Sequence, residues 1–260
     1  MEELAWCLQS SGDWLQSESC YNDCLEAREM IHGYESMEAI RIVANLASVC
    51  RSQGKLEQAK QFSQRALEVR SKVQGAEHIS TLKTAHNFAL LQEEIGNLVE
   101  AERLHIRATL GFENTLGSTD PNTLKATDNL ARTFLLLRKL PEAESLYLRL
   151  LRSKLKLYGQ NDVRTLATLI TLATVLEDGG KIKIAGDFYK CAIVGYAFTL
   201  GPSNERVGKV YAALLDLVCN DKTMKLDAER FYRKVQTLPE NSPPPDYLPA
   251  LLERLTSHKS

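Results

Sequence analysis

The chain has 260 residues, and 32 Lys and Arg against 33 Asp and Glu leave a net charge of −1. That balance excludes a basic nucleic-acid footprint and a disordered acidic tail, while 44% hydrophobic residues suffice for a sizeable core. No apolar run approaches the ~20 residues of a membrane span. The acidic start Met1-Glu2-Glu3 is unlike a secretory signal, and six cysteines without an Asn-x-Ser/Thr sequon point to a reducing, cytoplasmic compartment.

A strict internal period organises the chain. Gly33, Gly75, Gly117, Gly159 and Gly201 recur every 42 residues, and Gly12, Gly54, Gly96 and Gly180 form a second series 21 positions later, interrupted by Arg138. Taking the first glycine of each unit as offset 0, Met1 falls at offset 10, so residues 1–32 are predicted to form a truncated first helix pair. Leu4, Ala5, Trp6, Cys7 and Leu8 then lie at an open edge, where a terminal repeat needs a polar face or a cover. Self-capping, cover by a partner and continuation from a longer chain are the alternatives.

Residues 33–238 are predicted to be five helix pairs. Ser36, Asp120, Asp162 and Asn204 stand at offset 3 as N-caps of the first helix, and Ser80 is expected to cap in place of His78. Pro121 follows at a first helical position, where its missing N–H is harmless. The first helix of each pair spans about offsets 4 to 19 and ends at the second glycine; the next runs from about offset 23 to 39. Leu46, Phe88, Leu130, Leu172 and Leu214 form one core column, and Ala59, Ala101, Ala143 and Ala185 a second, where small side chains let helices cross closely. The last unit departs from the pattern, with Ala228 one position late and Gly208 where a core Leu is expected. Pro239, Pro243, Pro244 and Pro245 make residues 239–245 an extended linker. Residues 246–260 are predicted to be a short helix and tail, with Leu248, Leu251, Leu252 and Leu255 on one stripe. That helix either caps the last repeat or docks elsewhere.

The columns resemble the tetratricopeptide repeat: a large-small pair, a glycine seven positions on and an alanine five further, as in Leu46-Ala47, Gly54, Ala59 and Phe88-Ala89, Gly96, Ala101. The 42-residue length is similar to the kinesin light chain subfamily. So are the phrases Gly75-Ala76-Glu77-His78-Ile79-Ser80-Thr81-Leu82 and Gly117-Ser118-Thr119-Asp120-Pro121-Asn122-Thr123-Leu124. The likeness covers about residues 12 to 238 and implies an all-α, right-handed helical-repeat solenoid that binds proteins; it does not imply a motor subunit. An armadillo array has a near period but needs three helices per unit.

No catalytic signature stands out, and no cofactor is expected. Gly180-Lys181 is followed by Ile182 and preceded five positions back by Val175, which is no phosphate loop. Cys20 and Cys24 lie one turn apart with Cys7 and His32 nearby, but they occupy core columns and are read as small apolar residues rather than zinc ligands. His32, His78, His86, His105 and His258 are paired with no nucleophile.

The functional signal lies in the polar columns. Offset 8 holds Arg41, Lys83 and Lys125; offset 12 holds Asn45, Asn87 and Asn129. Each pair is i, i+4 and shares one helix face. An amide can bracket a peptide bond, and the cations favour acidic side chains. The family resemblance implies that these columns line the concave groove and grip a bound peptide. Offsets 11 and 15, with His86, Asp128, Ser48 and Arg132, are expected to add specificity. The pair is lost at Ala167 and Thr171. The expected function is an adaptor or scaffold for an extended, acidic segment of a protein partner, with no nucleic acid or membrane. Alternatives are a structural amide ladder between repeats, or an assembly subunit that acts through the N-terminal edge or the C-terminal helix, with self-association at the N-terminal edge.

Overall fold

The computed structural model describes residues 1–237 and Leu252; the linker expected at 239–245 and the rest of the helix expected at 246–260 lie outside the described residues. Among the described residues there are twelve helices and no strand, an all-α helical-repeat solenoid. The chain divides into two compact units, Met1–Thr133 and Phe134 onward. The first holds α1 (Glu2–Ser11), α2 (Trp14–His32), α3 (Met37–Ser52), α4 (Leu56–Val73), α5 (Ile79–Ile95), α6 (Leu98–Leu116) and most of α7 (Pro121–Leu136). The second holds α8 (Leu140–Tyr158), α9 (Val163–Asp178), α10 (Ile182–Leu200), α11 (Glu205–Leu217) and α12 (Lys222–Gln236).

Short turns make each helix pack on the one before it: α1 to α6 stack in sequence within the first unit, and α8 to α11 within the second, where α12 rests on both α10 and α11. Capping explains the helix starts. The Ser36 side chain accepts from the Ala39 N–H at 3.2 Å, and Asp162 and Asn204 accept from the amides of Arg164 and Arg206. At the one exceptional position the expectation is corrected. His78 itself caps α5, its Nδ1 accepting from the Ser80 N–H at 3.2 Å, while the Ser80 hydroxyl turns to Gln74. An imidazole nitrogen without its proton supplies the lone pair a serine would have offered. Arg138 takes the left-handed conformation, φ 59°, that glycine adopts at the matching positions of other units.

The core follows the two columns. Leu46, Phe88, Leu130, Leu172 and Leu214 are all buried, and Ala59, Ala101, Ala143 and Ala185 are completely so. Each buried Leu or Phe contributes roughly 1.5–3 kcal/mol. In the last pair α12 begins two positions early in the 42-residue frame, and Ala228 is buried one position late, keeping a small residue at the crossing. Cys24 is buried beside Tyr21, with Cys20 packed against that cluster.

Candidate functional site

The polar columns lie on three helices of the first unit, α3, α5 and α7. On α5, Ala85, Phe88 and Ala89 turn into the core, while Lys83 and Asn87 lie on the exposed side. Arg41 and Lys125 are likewise exposed; Asn45 and Asn129 are half-buried. Helical geometry separates the two sets, since each residue advances ~100°.

The six side chains differ in what holds them. Arg41 is bound by Glu2 through two contacts of 2.8 and 2.9 Å. Asn45 stands beside Tyr21, whose phenol donates to Gln9 Oε1 at 3.3 Å. Burial pushes the Tyr21 phenol up, and the Asn45 amide works in the opposite sense. The Asn129 Nδ2 lies 3.1 Å from His86 Nε2. Among the described residues Lys83, Asn87 and Lys125 have no hydrogen-bond or ionic partner. Arg41 and Asn45 also line a groove of about 750 Å³ shared with Trp6 and Tyr21 of α1 and α2.

The expectation for His86 is corrected. It is 6% exposed and offers no surface contact, because it points toward the next repeat. There it meets Asn129 of α7 and the completely buried His105 of α6. Ser48 is engaged by Gln9 of α1 at 3.2 Å. Arg132 remains half exposed, but its guanidinium is bound to Glu93 Oε2 at 2.7 Å.

These ties form a second ladder between neighbouring first helices, not expected from the columns alone. Glu2 with Arg41, Gln9 with Ser48, Arg51 with Glu94, His86 with Asn129, and Glu93 with Arg132 and Thr133 all join residues 39 to 43 apart, one repeat length. Glu93 is its most charged centre. Burial works to raise its carboxyl, but His105, the Thr133 hydroxyl at 2.5 Å and the Arg132 charge outweigh it and hold the pKa at about 2. His105 Nε2 lies 3.4 Å from Glu93 Oε1. The signal for this centre was in the sequence, as Glu93 seven residues after His86 on one face, but nothing in the spacing says which basic group meets it.

No described helix is long and apolar enough to cross a membrane. Among curated proteins none matches the sequence. Solved structures with the same fold include a Podosopora anserina protein described as a kinesin light chain of nearly identical TPR-like repeats. It is 21% identical, covers 76% of this chain and 94% of its own, and has a TM-score of 0.70. BtubC (BKLC) from P. vanneervenii is 14% identical over 89% of this chain and 95% of its own, with a TM-score of 0.63. A tetratricopeptide repeat protein from Parabacteroides merdae is 18% identical over 99% of this chain and 84% of its own, with a TM-score of 0.58. A Tetratricopeptide repeat family model matches residues 1–61, 37–109 and 93–156, a span that includes all three polar pairs. With the helix pairs, the buried alanine crossings and the glycine turns, that match covers more than half of the sequence, and the chain belongs to the tetratricopeptide repeat family.

Proposed function

We propose that the chain is a cytoplasmic, non-catalytic adaptor that holds an extended, acidic segment of a partner protein. The segment lies along the face bearing Arg41 and Asn45, Lys83 and Asn87, Lys125 and Asn129. Protein–protein recognition is the general role of the family; the acidic ligand and these residues are the specific reading. The observation that carries it is the exposed trio Lys83, Asn87 and Lys125, which no other group of the described chain engages although cations and amides recur there at a strict 42-residue period. Packed helices stand ~9–10 Å apart, about three residues of extended peptide at ~3.3 Å each. The ladder therefore suits one contact every third residue. Asn87 can bracket a peptide bond, and the two ammonium groups favour carboxylates. Arg132, held by Glu93, sits at the rim and adds charge rather than a free fork.

The test is fluorescence anisotropy with a labelled acidic peptide in extended form and an uncharged peptide of the same length. The acidic peptide binds wild type and is released by salt, since exposed charges are screened within ~8–10 Å. Asn87→Ala weakens binding by ~0.5–1.5 kcal/mol, the net worth of a neutral hydrogen bond. Equal binding of both peptides, or binding unchanged in Lys83→Glu with Lys125→Glu, overturns the reading.

A further inference from the structure

We propose that Asn129 meets the partner segment through its oxygen and takes a backbone N–H from it, and that the buried His86 is the positioning residue that turns the amide this way. The inference rests on the acidic-segment reading and adds a requirement to it. At the Asn129 step the segment needs an unsubstituted backbone amide, which a proline or an N-methylated residue lacks.

The tie to His86 fixes one arm of the amide. Asn129 Nδ2 lies 3.1 Å from His86 Nε2, across the boundary between α5 and α7. A carboxamide nitrogen can only donate, so the ring nitrogen that it faces holds a lone pair. The ring has one to offer, because burial keeps His86 neutral at neutral pH, with a pKa of about 4. Its Nδ1 is buried and has no partner among the described residues, so Asn129 is the ring's hydrogen-bond anchor. The ring itself is 6% exposed and packs against the edge-on ring of the completely buried His105. A side chain held on both sides in this way holds the Asn129 nitrogen in turn.

The other arm stays open. Asn129 is half-buried, and its Oδ1 has no hydrogen-bond partner among the described residues yet is not sealed from solvent. An amide oxygen accepts and does not donate. Turning the amide over would set that oxygen against the Nε2 lone pair and forfeit the hydrogen bond to His86. Asn87, at the same offset one repeat earlier, is exposed with neither arm engaged among the described residues. It can give to a C=O and take from an N–H of the same segment. The two amides therefore ask different things of one ligand, and the difference originates in a residue that the ligand does not touch.

Fluorescence anisotropy with two labelled peptides tests this: an oligoglutamate, and its fully N-methylated counterpart of equal length and charge. Both keep every C=O, and the second has no backbone N–H. Comparing variants on one peptide cancels the effect of methylation on that peptide's own conformation. Asn129→Ala weakens oligoglutamate binding about two- to tenfold and leaves the N-methylated peptide unchanged, whereas Asn87→Ala weakens both. His86→Phe keeps a buried ring without the lone pair, frees the Asn129 nitrogen and strengthens binding of the N-methylated peptide, a gain that damage to the fold would not give. Circular dichroism verifies that each variant keeps its helices. In the peptide-free protein at neutral pH, NMR finds His86 Nε2 without a proton.

Equal weakening of both peptides by Asn129→Ala overturns the inference and leaves the acidic-segment reading standing. So does a protonated Nε2 on neutral His86, or an unchanged affinity for the N-methylated peptide in folded His86→Phe. A wild type that binds neither peptide overturns the acidic-segment reading, and the selectivity falls with it.

Discussion

The rings of His86 and His105 meet edge to face inside the first unit, their centroids 5.2 Å apart and their planes inclined by 65°. They come from consecutive helices, α5 and α6, and both are buried. Burial is the main force lowering the pKa of His86 to about 4, and the neighbouring His105, Lys125 and Arg132 act in the same direction against the Glu93 carboxylate.

That arrangement makes the fold acid-sensitive. In the unfolded chain His86 titrates near 6.5, and in the folded chain at about 4. Between those values the unfolded state binds more protons, so stability falls as pH drops from 6.5 to 4 and this contribution then levels off. The span corresponds to roughly 3 kcal/mol. Glu93, depressed from 4.5 to about 2, adds stability that is present above 4.5 and is lost as pH falls toward 2. Urea unfolding at pH 7 and pH 4.5 measures the loss, and His86→Gln flattens the slope between them. By NMR the His86 ring titrates near 4; a midpoint near 6.5 contradicts the packing described.

Asn87 and Asn129 share an offset but not a role. Asn129 is tied to His86 across the repeat boundary, whereas Asn87 is exposed. Asn129→Ala is expected to cost ~1 kcal/mol of stability, and Asn87→Ala to stay within ~0.5 kcal/mol of wild type. Thermal or urea melts of the two variants compare them directly. Equal losses would show that the amide column is structural throughout.

Glycine to alanine has opposite signs in two helices. A Cβ at Gly111 of α6 would lie 2.3 Å from Cδ2 and 2.7 Å from Cδ1 of Leu82, so that completely buried side chain would have to shift. A Cβ at Gly208 of α11 meets nothing within 4 Å. Alanine gains ~1 kcal/mol of helix propensity at either site. Gly208→Ala is therefore stabilising by about that amount, while Gly111→Ala is destabilising because the clash outweighs the gain. Ala101→Leu, at a helix crossing with no exposure, loses ~1–3 kcal/mol by overpacking. Urea midpoints of the three variants read all three effects.

Arg138 holds a left-handed backbone, φ 59°, for which its side chain is unsuited. Arg138→Gly relieves ~1–2 kcal/mol of steric cost and returns part of it as the greater backbone freedom of glycine in the unfolded chain. A rise in the melting temperature is the expected result, and a fall would show that the arginine makes contacts worth more than the strain.

The period, the helix boundaries and the core columns were legible in the residues themselves. Glycines that must turn, caps that start helices, and Leu or Ala at fixed offsets all act within one helix pair, so recurrence every 42 residues exposes them. The exposure of Lys83, Asn87 and Lys125 was equally legible, because it follows from the angle each makes with Phe88 or Leu130 about the helix axis. The His78 cap was not, since it depended on which of two side chains the local turn aimed at a free N–H. Nor were the burial of His86, the tie from Asn129 or the depressed Glu93. Those contacts join residues about one repeat apart across the interface between first helices, and the crossing of those helices sets which offsets meet. A one-dimensional period lists what each helix presents; only the packed stack decides which presented groups find one another and which stay exposed.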